Sequence, residues 1–135
     1  AQWLEDVEAA LEEDPNRLTF GAAANDSGGS GYCTCTNCQA WDDPEGALVG
    51  YTWRGLGMQY VTMSDRQVTF ANTLARMLKE RFPDKDLYVV GQAYGNSRPP
   101  PAQAVPDDNV IFSVVANCHN RPPGDHRELL QGWGR

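Results

Sequence analysis

The sequence predicts an α/β protein built around a parallel sheet. Three short runs of apolar residues have strand character, at residues 17–24, 87–94 and 110–116. They are separated by helical or long connections and not by tight turns. Near-continuous apolar strands with such connections are typical of a parallel sheet that is covered on both faces.

Three helices are predicted around these strands. Residues 2–13 carry apolar side chains at the 3.6-residue spacing of an amphipathic helix, and Asp14-Pro15-Asn16 ends it. A second helix runs from Ser64 to Pro83, and Ser64 and Gln67 have the spacing of a capping box. A third helix begins after Pro123. The predicted order is helix, strand, long loop, helix, strand, loop, strand, helix.

Residues 25–63 form the long loop of this prediction, because they show no clear periodicity. Loops of this length in compact domains are usually functional or disordered. This one is rich in aromatic residues, which favours a functional loop over a disordered one. It would lie over the carboxyl ends of the strands, where α/β folds bind their ligands.

Length and charge limit the possible functions. The chain has 135 residues, enough for a single domain or a fragment of a larger one, and a formal net charge of −7. That charge repels phosphate backbones, so we expect no nucleic-acid partner. No apolar run reaches the 18 residues expected of a membrane span.

Cysteines are the most specific feature of the long loop. Cys33, Cys35 and Cys38 have the spacing C-x-C-x-x-C, and Cys118 closes the third strand next to His119. Four thiolates, or three thiolates and one imidazole, suit a structural zinc ion. The alternative is a disulfide, from Cys33 or Cys38 to Cys118, since a bridge within C-x-C would be strained. The sequence leaves both open.

Polar and aromatic residues at the predicted strand ends are candidates for a binding site. In a parallel sheet the carboxyl ends of the strands share one edge, about 4.8 Å apart from strand to strand. Asp26 is placed there as a general acid or a charged substrate contact, although an aspartate in such a turn is also an ordinary turn-former. The candidate contacts to substrate are Asn25, Trp41, Trp53, Tyr94 and His119.

Tryptophan and tyrosine rings in the loop could stack on sugar rings. Glycoside hydrolysis usually needs two carboxylates, and only Asp26 is well placed by the predicted fold. Four further acidic residues lie in or beside the long loop with no predicted position at the site. They are Asp42, Asp43, Glu45 and Asp65.

Five motifs together resemble one family. They are N-D-S-G-G-S-G-Y-C-T-C-T-N-C, S-D-R-Q-V-T-F-A-N-T-L-A, F-P-D-K, A-Y-G-N-S-R-P-P-P and D-D-N-V-I-F-S-V. In combination they are similar to the family called domain of unknown function 4838. The resemblance implies an exported bacterial protein, secreted or periplasmic, with a glycosidase-like (β/α)8 TIM barrel distantly similar to alpha-glucuronidases. This chain would then supply about three βα units of that barrel, with Asn25 and Asp26 at its active-site face.

Two functional hypotheses follow. The first is a carbohydrate-active, glycoside-hydrolase-like domain with Asp26 as the acid. In it the segment that carries Cys33, Cys35 and Cys38, the cysteine loop, is a structural clamp. The second is a non-catalytic extracellular binding or structural segment, clamped by metal or disulfides. A partial barrel has two open sheet edges, so it would pair with the remainder of a larger barrel or with another copy of itself.

Overall fold

The computed structural model describes residues 2–22, 32–53, 56–115 and 123–134. Within these ranges the chain forms four α-helices, five strands and one short 3₁₀ turn. They are α1 (Gln2–Glu13), β1 (Thr19–Gly21), α2 (Thr36–Gln39), β2 (Leu48–Trp53), β3 (Leu56–Val61), α3 (Ser64–Arg81), β4 (Tyr88–Ala93), the 3₁₀ turn Gly95–Ser97, β5 (Val110–Val114) and α4 (Pro123–Trp133).

Three parallel strands form the main sheet, in the order β1-β4-β5. Phe20 is paired with Val89, and Val89 in turn with Val110. The parallel sheet predicted from the sequence is therefore confirmed, with the first and third strands on either side of the second. The strands are shorter than the apolar runs, because pairing with β4 continues only as far as Ala22, whose N–H donates to the Val90 carbonyl at 2.9 Å.

The core lies between this sheet and the helices α1 and α3. Val7 and Leu11 from α1 meet Phe20 of β1, and Leu74 and Leu78 of α3 complete the cluster. Each fully buried aliphatic or aromatic side chain of this size contributes about 1.5–3 kcal/mol of transfer free energy. The helices are therefore held by their apolar stripes, as their spacing predicts.

The opposite face of the sheet is exposed in the described part of the chain, contrary to the prediction that both faces are covered. Ile111 is 46% exposed there, and Gln92 and Ser113 are exposed as well. The reason is that the helices share one side. The α4 residue Trp133 packs on Phe112 with ring centroids 4.9 Å apart, and Phe112 itself packs against the core built by α1 and α3.

The segment from 25 to 63 contains regular structure that the sequence pattern did not indicate. The strands β2 and β3 form an antiparallel hairpin, with Leu48 opposite Val61 and Trp53 opposite Leu56. Glycines at positions 50 and 57 interrupt the alternation of side chains that usually identifies strands. Two six-residue runs of strand-forming residues with only two residues between them were the available signal.

The predicted capping box at the start of α3 is wrong. Met63 is the N-cap residue, and no side chain caps the helix there. The Ser64 hydroxyl donates instead to the Pro99 carbonyl, and the Gln67 amide donates to the Ala22 carbonyl at 2.8 Å. Both side chains therefore hydrogen-bond to carbonyl groups that are distant in sequence, and neither caps its own helix.

The other polar side chains of α3 fasten the proline-rich segment that follows the 3₁₀ turn. The buried carboxylate of Asp65 accepts three backbone hydrogen bonds, from the N–H groups of Ala102, Gln103 and Ala104. Further along the helix, Arg76 forms a two-pronged ion pair with Asp107. Although α3 has 18 residues, none of the helices in the described ranges combines the length and apolarity needed to span a bilayer.

Candidate functional site

The first turn of α3 lies at the carboxyl ends of the parallel strands. The Gln67 side chain reaches Ala22, the residue after β1. The Met63 N–H and the Thr62 hydroxyl both donate to the carbonyl of Asn96, just beyond β4, at 2.9 and 2.8 Å. The beginning of α3 therefore marks the edge of the sheet at which α/β folds bind ligands.

The cysteine loop is attached to this edge by Arg66. The guanidinium donates from Nη1 to the Cys33 carbonyl at 2.7 Å. Its other side grips Asp42, with Nε 2.8 Å from Oδ1 and Nη2 bonded to Oδ2. The hydrogen bond to Asp42 is the main cause that raises the pKa of Arg66, and the fields of Asp42, Cys38 and Cys33 add to it.

The short helix α2 brings the cysteines together. Cys35 is its N-cap residue with extended backbone angles, and Cys38 lies inside the helix. Residues three apart at a helix start lie on one side of it. Cys33 precedes this turn and is held by the bond from Arg66 to its carbonyl. The C-x-C-x-x-C spacing is thus converted into a cluster by a single helical turn.

The three sulfurs could hold a metal ion. All three Sγ atoms lie within 4.8 Å of one another, and all three cysteines are free thiols. Sulfurs bound tetrahedrally to zinc at 2.3 Å are about 3.8 Å apart. Cys33 and Cys35 are exposed, so small side-chain rotations would close the remaining distance. The donors and their geometry fit a thiophilic ion such as zinc.

The thiols of the cluster differ in acidity. The backbone N–H of Cys38, aided by side-chain hydrogen bonds from Cys33 and Cys38, lowers the pKa of Cys35 to about 7. Hydrogen bonding to Cys33 and Cys35 raises the pKa of Cys38 to about 11. Cys35 therefore ionises before Cys38, and near neutral pH about half of the Cys35 thiol is already thiolate.

Comparison with known proteins identifies the family. A sequence profile described as "Domain of unknown function (DUF4838)" matches residues 2–134. The chain belongs to the DUF4838 family. No curated protein sequence and no solved structure matches it at a significant level. The family resemblance carried by the five motifs is thereby confirmed.

Two of the predicted substrate contacts are exposed in the DUF4838 domain. Tyr94 follows β4 directly and is 49% exposed, beside Gly95, whose φ of +54° turns the chain into the 3₁₀ turn. Trp41 follows α2 and is 39% exposed. Trp53 ends β2, and its side chain lies outside the described part of the structure. So do four further predicted site residues, Asn25, Asp26, Cys118 and His119.

Three acidic residues near this edge are already engaged. Asp42 is paired with Arg66. Asp43 is buried and accepts the Glu45 N–H at 2.7 Å within a turn. Asp65 holds three backbone N–H groups. These carboxylates fix loops in the DUF4838 domain, which leaves them poorly suited to serve as a catalytic acid or base.

The partnership of Arg66 with Asp42 is the feature of the site that sequence reasoning missed. Twenty-four positions separate the two residues, so no local spacing relates them. The only signal was a single arginine in the first turn of a helix, a position that usually disfavours cations because of the helix dipole. An arginine at such a position therefore indicates a nearby anionic or carbonyl partner.

Proposed function

We propose that this domain is carbohydrate-active and glycoside-hydrolase-like, and that it belongs to an exported, secreted or periplasmic, bacterial protein. The observation that carries the proposal is that the exposed Tyr94 directly follows β4 at the carboxyl edge of the parallel sheet, where Arg66 also fastens the loop that carries the exposed Trp41. Arg66 and Gln67 in the first turn of α3, together with Thr62 just before the helix, connect these parts. Ligand sites of α/β folds occupy this edge.

Exposed aromatic rings support a sugar ligand. The Tyr94 ring is half exposed next to the end of β4, and the Trp41 ring is exposed in the cysteine loop. Aromatic faces suit the C–H faces of sugar rings, while the phenol and indole groups can also form hydrogen bonds. In this proposal Asn25, Trp53 and His119 add further contacts to the carbohydrate.

Asp26 is the proposed catalytic acid. A hydrolase usually requires a second carboxylate. Of the four acidic residues in or beside the long loop, Asp42, Asp43 and Asp65 are occupied by structural bonds, and Glu45 alone is exposed. This observation favours a second candidate function, in which the domain binds carbohydrate without cleaving it. The two candidates share the binding edge and differ only in turnover.

The cysteine loop is proposed as a structural zinc centre of Cys33, Cys35, Cys38 and Cys118. The three free thiols within 4.8 Å support it. Zinc bound by thiolates alone has no open position for substrate. Its role would be to hold Trp41 and the loop against the edge, and metal coordination would also protect the thiols in an oxidising compartment, where disulfides otherwise form.

A binding measurement tests the carbohydrate proposal. The wild-type domain is titrated with a panel of neutral and uronic-acid-containing oligosaccharides, and reducing ends are assayed in parallel. We expect Tyr94→Ala and Trp41→Ala each to weaken binding about 10-fold, the equivalent of roughly 1.4 kcal/mol for a lost stacking contact. Phe70→Ala is the matched control, because Phe70 is an equally exposed ring on α3.

The outcomes separate the two candidates. Turnover that Asp26→Asn abolishes while binding persists would establish the hydrolase. Binding with no turnover by the wild type would establish the non-catalytic module. If no oligosaccharide binds, or if Phe70→Ala weakens binding as much as Tyr94→Ala does, the carbohydrate proposal fails.

Native and denaturing mass spectrometry tests the zinc centre. We expect a native mass higher by one zinc ion, lost on treatment with a chelator and independent of reductant. A mass two or four daltons below that of the fully reduced chain would show disulfides instead, and the metal proposal would fall.

Further βα units are proposed as the partner of the sheet, supplied by the remainder of a larger barrel or by self-association. The exposed face with Gln92, Ile111 and Ser113 supports this, as do β1 and β5, each paired on only one side within the described residues. Light scattering of the isolated 135-residue chain distinguishes the two. A stable monomer at high concentration would exclude self-association.

A further inference from the structure

Within the described residues, Arg66 alone bonds to both arms of the cysteine loop. One arm contains Cys33, whose carbonyl accepts from Nη1 at 2.7 Å. The other arm is the turn after α2, where Asp42 accepts from Nε and Nη2. Cys35 and Cys38 lie between these two points of attachment. A single rigid guanidinium therefore fixes the distance across the base of the loop that carries the three sulfurs.

A lysine could not make this arrangement. The guanidinium is planar, and its five N–H groups leave in fixed directions, so it can grip a carboxylate with two of them and a carbonyl with a third. An ammonium group offers a point charge without that fork. The Arg66 side chain is also only 13% exposed, and that of Asp42 only 21%. Solvent therefore screens this pair less than it screens an ion pair in open water.

Charge gives the same residue a second role. Three thiolates around a divalent cation carry a net charge of −1, and a fourth thiolate from Cys118 would make it −2. Arg66 donates directly to the backbone of one of the ligands, so its positive charge lies beside that complex. A cation held this close stabilises the anionic metal complex through Coulombic attraction.

We propose that Arg66 is a positioning residue of a thiophilic-metal centre at Cys33, Cys35 and Cys38, and that Asp42 orients it. This inference rests on the proposed zinc centre and goes further by naming what preorganises it. Groups that orient metal ligands typically change metal affinity by 10- to 100-fold when they are removed. We expect that range for the loss of Arg66.

Cobalt(II) is the probe, because its complexes with thiolates absorb through sulfur-to-metal charge transfer while zinc is silent. The reduced wild-type chain and its variants are titrated with cobalt, and zinc affinity is then obtained by displacement. We expect Arg66→Met to weaken both affinities 10- to 100-fold. Arg66→Lys keeps the charge but loses the fork, so it should recover only part of the affinity, and Asp42→Asn should weaken binding by a smaller factor than Arg66→Met.

Arg76→Met is the matched control. Arg76 lies on the same helix and forms the same two-pronged contact with an aspartate, Asp107. Its N–H groups bond to no cysteine in the described part of the structure. We expect Arg76→Met to leave cobalt affinity unchanged and to lower the unfolding midpoint less than Arg66→Met does, because the Arg76 side chain is 65% exposed. If Arg66 had only a structural role, Arg66→Met and Arg76→Met would bind cobalt with the same affinity.

The possible outcomes test the metal centre, the role of Arg66 and the need for its guanidinium fork separately. If the wild type develops no charge-transfer band, the metal centre itself is refuted and the role of Arg66 falls with it. If the wild type binds cobalt and Arg66→Met binds it within threefold, the centre stands and the inference is overturned. Arg66→Lys keeps the test decisive should Arg66→Met fail to fold, because full wild-type affinity in a folded Arg66→Lys would refute the requirement for the fork.

Discussion

Individual thiols of the cysteine loop have different chemistry although they lie side by side. The hydrogen bond from the Cys38 backbone stabilises the thiolate of Cys35 and holds its pKa at about 7. The pKa of Cys38 is instead raised to about 11, because its thiol is hydrogen-bonded to Cys33 and Cys35. In the metal-free protein this distinguishes Cys35, which is a nucleophile near neutral pH, from Cys38, which stays protonated.

We predict selective alkylation on this basis. At pH 7.5, brief treatment of the metal-free chain with iodoacetamide should modify Cys35 well before Cys38, since only the thiolate reacts. The rate at Cys35 should rise as the pH passes through about 7 and level off above pH 8. Peptide mapping by mass spectrometry measures this, and saturating zinc should suppress it. Equal labelling of both residues at pH 7.5 would contradict the assignment.

At the same scale, residues show why the site was only partly predictable. The C-x-C-x-x-C spacing indicated a cluster, since a short helical turn brings positions 35 and 38 together wherever it forms. The fork between Arg66 and Asp42 could not be predicted, because it forms only when α3 and the turn after α2 come together across 24 positions of the chain. Asp42 and Asp65 looked like spare carboxylates for the same reason, as their partners are backbone and side-chain groups far away in sequence.

Among the elements, α3 organises the domain. Its apolar stripe packs on the sheet, its first turn holds the cysteine loop, and Asp65 and Arg76 hold the segment before β5. The stripe was readable from the sequence because burial of one helical face follows from spacing alone. Its polar residues were not, since Ser64 and Gln67 could satisfy a local cap or a distant carbonyl equally well, and the distant carbonyls prevailed.

The pairing of β4 with β5 depends on one glycine. A Cβ atom at Gly91 would approach the Phe112 ring to 2.5 Å, and Phe112 is already packed against Trp133. Gly91→Ala should therefore destabilise the protein by about 1–3 kcal/mol, the usual result of overpacking. Urea unfolding followed by tryptophan fluorescence measures the change.

Gly21→Ala provides the comparison within the same sheet. A Cβ atom at Gly21 would meet nothing within 4 Å, so this variant should unfold within about 0.5 kcal/mol of the wild type. Similar losses for both variants would mean that backbone freedom, and not contact with the Phe112 ring, explains the glycine at position 91.

For the whole molecule, metal binding should appear as folding stability. The native cluster collects three sulfurs that the unfolded chain scatters, so an ion that prefers the native state stabilises it by mass action. Zinc at about 100 times its Kd should add about 2.7 kcal/mol. For a chain of this size that corresponds to a rise in Tm of roughly 8 °C. Differential scanning calorimetry with and without chelator measures it.

A variant with all three cysteines of the loop replaced by serine controls for metal that binds elsewhere. Its Tm should be unaffected by zinc, and close to that of the metal-free wild type. A zinc-dependent rise that persists in this variant would place the stabilising ion at another site and would contradict a metal centre at Cys33, Cys35 and Cys38.

The parallel sheet was predictable at this scale because three apolar runs with long connections permit few other arrangements. The exposed second face was not, since an apolar residue such as Ile111 is equally compatible with a covered sheet. The hairpin of β2 and β3 was missed because residues 50 and 57 are glycines, which remove the alternation on which such predictions depend.

The two anchors on the first turn of α3 have a consequence for protein engineering. Gln67 holds the carbonyl of Ala22, and its neighbour Arg66 holds that of Cys33, so both ends of the intervening stretch are fastened to adjacent positions of one rigid helix. Doubling the length of a stretch with fixed ends costs only about 0.6 kcal/mol in closure entropy. A peptide inserted between these anchors should therefore cost the fold little stability. Because Asn25 and Asp26 lie in the same stretch, the insertion should disturb the proposed carbohydrate site while the domain stays folded.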